Sequence, residues 1–138
     1  DAISAFNDWP TNINGVFTPH EQEWRQWLGD ERHTINTLQG HGTSRCVVVT
    51  GFCDKIFSGE GRQCEIDGGH PRMAMGGTGD MLAGIIGGFL ALGINPWGAS
   101  RLACWTLREA GRRAVEEFGP GMLPDDVIPF ISKVLKHH

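Results

Sequence analysis

The chain reads as an α/β layer protein, and three observations carry that expectation. Cys46-Val47-Val48-Val49-Thr50 is a continuous, largely β-branched run that suits a parallel strand covered on both faces. A second apolar run, from Met81 to Ile94, follows directly on a glycine-rich turn and fits a buried helix. Strand and helix signals alternate in the first half and helical signals stack in the second, which predicts a mostly parallel sheet flanked by helices.

The elements follow in order. Gly15-Val16-Phe17-Thr18 is a short strand closed by Pro19, with loop before it at Trp9-Pro10 and from Asn12 to Gly15. His20 to Leu28 has helical spacing at Trp24, Trp27 and Leu28 and stops at Gly29; Arg32 to Gln39 makes a second short helix. After the Cys46–Thr50 strand come two shorter ones, Lys55 to Ser58 and Gln63 to Ile66, joined by a Gly59-Glu60-Gly61 turn. A helix runs from about Thr78 to Leu92. Its Gly84, Gly87 and Gly88 each cost about 1 kcal/mol against alanine, so close packing or room for a ligand is expected there. Pro96 opens a helix at a favoured first-turn position, and Gly119-Pro120-Gly121 ends it after Phe118. Its Leu102, Trp105, Ala110 and Ala114 suit a core face. The last helix, Pro124 to Leu135, has Asp125 and Asp126 at its start and Lys133 and Lys136 near its end, matching the helix dipole.

Composition narrows the function. At 138 residues the chain is one domain's worth of sequence. A net charge of -4 argues against nucleic-acid or anionic-membrane binding, and Arg108, Arg112 and Arg113 read as the solvated face of a helix. Cys46, Cys53, Cys64 and Cys104 lack scaffold or zinc spacing, so free thiols in a reducing, cytoplasmic setting are expected and no metal site is read. The longest apolar run is too short for a membrane span, and no signal-peptide pattern is read. The chain opens at Asp1 without a methionine, which reads as a fragment.

The most informative stretch is 73–92, MAMGGTGDMLAGIIGGFLAL. Gly76, Gly77 and Gly79 let the backbone turn sharply and present N–H groups, and the helix beginning near Thr78 adds unpaired N–H groups and a positive dipole end. That is the layout of a phosphate site. Asp80 in the first turn either caps the helix or, beside a bound phosphate, takes a proton from an attacking hydroxyl or orients a metal ion. Trp24, Trp27 and Trp105 read as core or interface residues, Glu23 as a first-turn helix charge, and Asp54 as a turn residue.

Several motifs in order resemble the ribokinase-like family of ADP- or ATP-dependent NAD(P)H-hydrate dehydratases. They are Asp1-Ala2-Ile3; Thr18-Pro19-His20 with Glu23; Val47 to Gly51 followed by Asp54-Lys55-Ile56; His70 to Gly84; Ala110-Gly111; and Gly121 to Asp126. The resemblance implies a ribokinase-like layered fold of which residues 1–138 form the C-terminal part of a single nucleotide-binding domain. It implies nucleotide phosphates on Gly76, Gly77, Thr78 and Gly79, with Thr50, Gly51, Phe52 and Cys53 bordering the nucleotide. Asp80 would be substrate contact and catalytic base, and His20 would line the substrate site. The cosubstrate would be ADP or ATP with Mg2+. The partners would be hydrated NADH or NADPH, the missing N-terminal half, and further copies of the chain in a homo-oligomer. Two departures stand out: Thr50 replaces the family's lysine before Gly51, and Leu107-Arg108 replaces a His-Gly pair. A kinase of the same fold acting on a thiazole or pyrimidine carbinol, and a noncatalytic nucleotide-binding subunit, are the alternative functions.

Overall fold

The computed structural model describes residues 15–38, 42–59, 61–67 and 78–136. In chain order these form β1 (Gly15–Phe17), α1 (Glu21–Trp27), α2 (Glu31–Leu38), β2 (Gly42–Val49), β3 (Asp54–Gly59), β4 (Gln63–Ile66), α3 (Thr78–Ala91), α4 (Pro96–Phe118) and α5 (Ile128–Lys136). Short 3-10 turns lie at Gly119–Gly121 and Pro124–Asp126.

The sheet order is β1-β2-β3-β4. Strands β1 and β2 run parallel, with Val16 opposite Cys46, while β2–β3 and β3–β4 are antiparallel, with Ile56 opposite both Val48 and Cys64. The hairpin expected at Gly59-Glu60-Gly61 is borne out by the β3–β4 pairing, and the expected mostly parallel sheet is corrected for β2–β3. The cause is connection length: only residues 50–53 join β2 to β3 and 60–62 join β3 to β4, whereas a parallel return needs a dozen or more residues. The β1–β2 connection has that length and carries α1 and α2. Gly61, at φ 77, supplies the left-handed residue that the β3–β4 turn requires.

Side-chain alternation splits the core between the two sheet faces. Cys46, Val48 and Ile56 pack with α3, α4 and α5, whereas Val47, Val49 and Phe57 pack with Trp24 and Leu28 of the α1 segment and Leu38 of α2. Helix α4 lies on the sheet through Ala99, Ala103, Cys104, Leu107, Ala110 and Ala114. Leu102 and Trp105, expected on that face, are instead 36% exposed. The small residues let the backbone approach the strands, and the bulkier ones fall to the side.

Local chemistry sets the helix ends. Asn95 caps α4 by accepting from the Gly98 N–H at 2.8 Å, Pro96 occupies the first turn, and Gly119 ends the helix at φ 67. Helix α5 starts later than expected because the Pro124–Asp126 turn comes first, with the Asp126 carboxylate accepting from the Leu123 N–H at 2.8 Å. The close packing expected at Gly84, Gly87 and Gly88 is not found: all three lie on the exposed side of α3, and a Cβ added to each would meet nothing within 4 Å. Leu82, Ile86 and Phe89 form the buried side. All four cysteines are free, and among the described residues no helix is long and apolar enough to cross a membrane.

Candidate active site at the end of the parallel strands

Parallel strands deliver their following loops to one edge of a sheet, where α/β proteins bind ligands. Here the ladder of β1 and β2 extends past both strands. The Thr50 N–H donates to the Pro19 carbonyl at 3.0 Å, the Glu21 N–H donates to the Thr50 carbonyl at 3.2 Å, and His20 bridges Thr50. Two segments singled out in the sequence, 18–20 and 50–53, thus lie side by side. His20 also caps α1: its Nδ1 accepts from the Glu23 N–H at 3.4 Å, and its own N–H donates to Glu23 Oε1 at 3.2 Å. Glu23 therefore completes a capping box, as a first-turn charge should. The His20 side chain remains 57% exposed.

Beside this bridge is a cavity of about 200 Å³ lined by Glu21, Trp24, Val49, Thr50, Gly51, Phe52, Cys53 and Lys55. All four expected nucleotide-bordering residues are in that lining. Trp24 forms its buried wall. The indole Nε1–H donates to Thr34 Oγ1 at 2.8 Å, that hydroxyl donates to the Asp30 carbonyl at 2.8 Å, and the ring stacks on Phe57 at 6.2 Å. Lys55 Nζ sits 5.9 Å over the indole and 3.5 Å from Glu31 Oε1. Phe52, at the loop tip, is 88% exposed.

Arg108 corrects the sequence expectation of a solvated face. It is buried, and its Nε and Nη2 donate to the two carboxylate oxygens of Asp54 at 3.0 Å each. Its Nη1 donates to the Phe52 carbonyl at 2.8 Å and its Nη2 to the Gly51 carbonyl at 2.9 Å. Burial opposes the Arg108 charge, but the hydrogen bonds and charge of Asp54 outweigh it and hold the guanidinium pKa above its ordinary value. Asp54, expected only to set a turn, is the buried first residue of β3 and the other half of this pair. Arg108 stands four residues after Cys104 and three before Gly111, both buried in the fold, and so shares the buried face of α4. Arg112 and Arg113 do face outward, paired with Glu109 and, for Arg112, Glu116.

Thr78, Gly79 and Asp80 form the first turn of α3, with Gly79 and Asp80 exposed; Gly76 and Gly77 lie outside the described residues. Helices α3 and α4 pack together across the short 92–95 connection, which makes them antiparallel neighbours. Counted back from Ala91, Asp80 is about 17 Å along α3; counted on from Pro96, Arg108 is about 18 Å along α4. Along the two helix axes Asp80 and Arg108 thus stand at similar distances from the connection. An exposed carboxylate at a helix start can accept a proton where unpaired N–H groups attract phosphate oxygens.

This layering of helices on both faces of the sheet is that of a ribokinase-like α/β protein. The family model for NAD(P)H-hydrate dehydratase matches residues 7–133, and the chain belongs to that family. An ADP-dependent (S)-NAD(P)H-hydrate dehydratase from Haloterrigena turkmenica is 30% identical over 125 residues, covering 89% of this chain and 47% of the relative. A solved Streptococcus mutans protein of undefined function superposes with a TM-score of 0.76 at 26% identity, covering 98% of this chain and 50% of that one. A ribokinase-like superfamily protein from Enterococcus faecalis superposes with a TM-score of 0.70 at 27% identity, covering 88% and 44%. The chain spans less than half the length of this curated relative.

Proposed function

We propose that the protein containing this chain repairs hydrated NADH or NADPH, using ADP or ATP to drive removal of water. The observation that carries this is the bridge between the His20 and Thr50 segments with the cavity beside it, in a member of this family whose α3 bears Asp80 in its first turn.

In the proposed reaction the nucleotide lies along Thr50–Cys53 and its phosphates reach the 76–79 turn. The hydrated nicotinamide ring sits between His20 and Asp80. Asp80 takes the proton from the ring hydroxyl as that oxygen attacks the terminal phosphorus and the bond to the nucleotide breaks. Hydroxide is a poor leaving group and phosphate a good one, so the phosphorylated ring then expels phosphate, loses a neighbouring proton and regains its double bond. The N–H groups of the turn stabilise charge that develops during transfer. Among the described residues no cluster of three or more candidate ligands would hold a metal. Mg2+ accompanying the nucleotide would be carried on the nucleotide's own phosphates, a pattern usual for magnesium.

The edge position of β1 in the described sheet, together with the partial coverage of relatives, supports a domain completed by further chain that pairs with β1. The free cysteines support a reducing, cytoplasmic setting. The test uses the full-length protein with hydrated NADH, magnesium and either ADP or ATP, following the reduced-nicotinamide absorbance. Recovery with a nucleotide is expected and names the phosphate donor. Nucleotide consumption with a small alcohol but not with the hydrate would instead make the protein a kinase. Asp80→Asn should lower turnover at least about a hundredfold while nucleotide still binds; unchanged turnover would remove Asp80 from the chemistry.

A further inference from the structure

Arg108 does more than neutralise Asp54. It draws two successive carbonyls of the cavity loop, Gly51 and Phe52, toward α4. No peptide bond in the described chain is cis, and across a planar trans peptide the carbonyl and the following N–H point in opposite directions. The N–H groups of Phe52 and Cys53 are therefore turned away from α4, toward the face where Trp24, Val49 and Lys55 wall the cavity. Two adjacent N–H groups facing one way make a small donor concavity. The Glu21 carboxylate shares that cavity: its Oε1 is paired with Arg25 at 2.9 Å, and its Oε2 lies 3.8 Å from where a Gly51 Cβ would stand. Donors beside a carboxylate oxygen match a sugar hydroxyl or a base edge, which both accepts and donates.

We propose that Arg108 is a positioning residue. By holding the Gly51 and Phe52 carbonyls, it fixes the loop whose N–H groups, with Glu21, receive the nucleoside part of the nucleotide. The inference rests on the nucleotide-dependent reaction above. Arginine is needed because its planar fork reaches four acceptors at once, whereas a lysine ammonium is a single point charge on a flexible stem.

The test is Arg108→Lys in the full-length protein, which keeps a positive charge near Asp54 but cannot span both carbonyls. The expected result is a nucleotide KM, and a calorimetric Kd for ADP, ATP and adenosine, raised about tenfold or more, with kcat lowered far less. A merely structural Arg108 would shrink the folded fraction and lower kcat with KM unmoved, and that outcome overturns the proposal. Since the variant risks misfolding, amide hydrogen exchange across 50–54 of the wild type is followed as well. Slower exchange there with ADP or adenosine is expected, and nucleotide binding without it overturns the inference alone. A wild type that binds neither ADP nor ATP overturns the dehydratase reaction and this inference together.

Discussion

On one face of the sheet α3, α4 and α5 bury a continuous apolar cluster that takes in Cys46, Val48 and Ile56 and extends to Met122, Val127 and Val134. On the other, two helices of 7 and 8 residues cover a small cluster around Trp24, Leu38 and Phe57. Burial is the main source of stability and scales with apolar area removed from water, so the first face carries the larger share of it. The thin face leaves a gap at the strand ends, and the cavity occupies that gap. Arg108 joins the two: it is rooted in the thick layer and ends on the loop that rims the cavity. The difference shows how a ligand edge can be open yet ordered, because its loop is held from the better-packed side.

The largest effect that could break this division is Trp24→Ala. Losing the stack on Phe57 and the bond to Thr34 should cost about 3–5 kcal/mol in urea unfolding, and should also weaken nucleotide binding because Trp24 walls the cavity. Phe130→Ala in the thick layer removes a similar buried ring, in edge contact with Phe118, and should lose comparable stability while nucleotide KM stays unchanged in the folded protein. Equal KM changes in the two variants would end the comparison.

A smaller effect is expected from alkali, through the thick layer alone. Burial, and secondarily the charge of Cys64, push the Cys46 thiol up to about 12 from an ordinary value near 9, and burial raises Cys104 too. The unfolded chain therefore ionises first. Stability should be fully present below about pH 9 and fall by up to ~1.4 kcal/mol for each thiol over the first pH unit above it. Unfolding midpoints at successive pH values should show this slope, and Cys46→Ala should flatten it; an unaltered slope would mean that Cys46 is not held protonated. Smallest is Asn95→Ala, which removes the α4 cap and should cost about 1 kcal/mol in thermal unfolding with no change in nucleotide affinity.

Much of the chain's layout was legible before folding was considered. The span of β4 from Gln63 to Ile66 and of α4 from Pro96 to Phe118 agrees with the sequence expectation, because turn glycines, an N-terminal proline and a capping asparagine act within a few residues. The site was legible in part. His20 and the 50–53 segment were marked by motif resemblance, but their bridge is a property of the parallel ladder. The β3–β4 hairpin was read from its glycine turn, and the antiparallel direction of β3 against β2 could have been read from the brevity of their connection. Leu102 and Trp105 were misplaced because apolar character alone does not say which side of α4 meets the strands.

The sequence by itself determined most of the element spans, the residues that alternate across the strands, and that a glycine-rich stretch precedes a helix bearing Asp80. Neighbours in the chain settle those features through backbone dihedrals, caps and side-chain periodicity. Only the tertiary structure decided that Arg108 turns inward to Asp54, 54 residues away along the chain, and that two loop carbonyls follow it. A charged side chain on a helix is indifferent between water and burial until a carboxylate and free carbonyls are brought within hydrogen-bond reach, and packing α4 against the sheet is what brings them there.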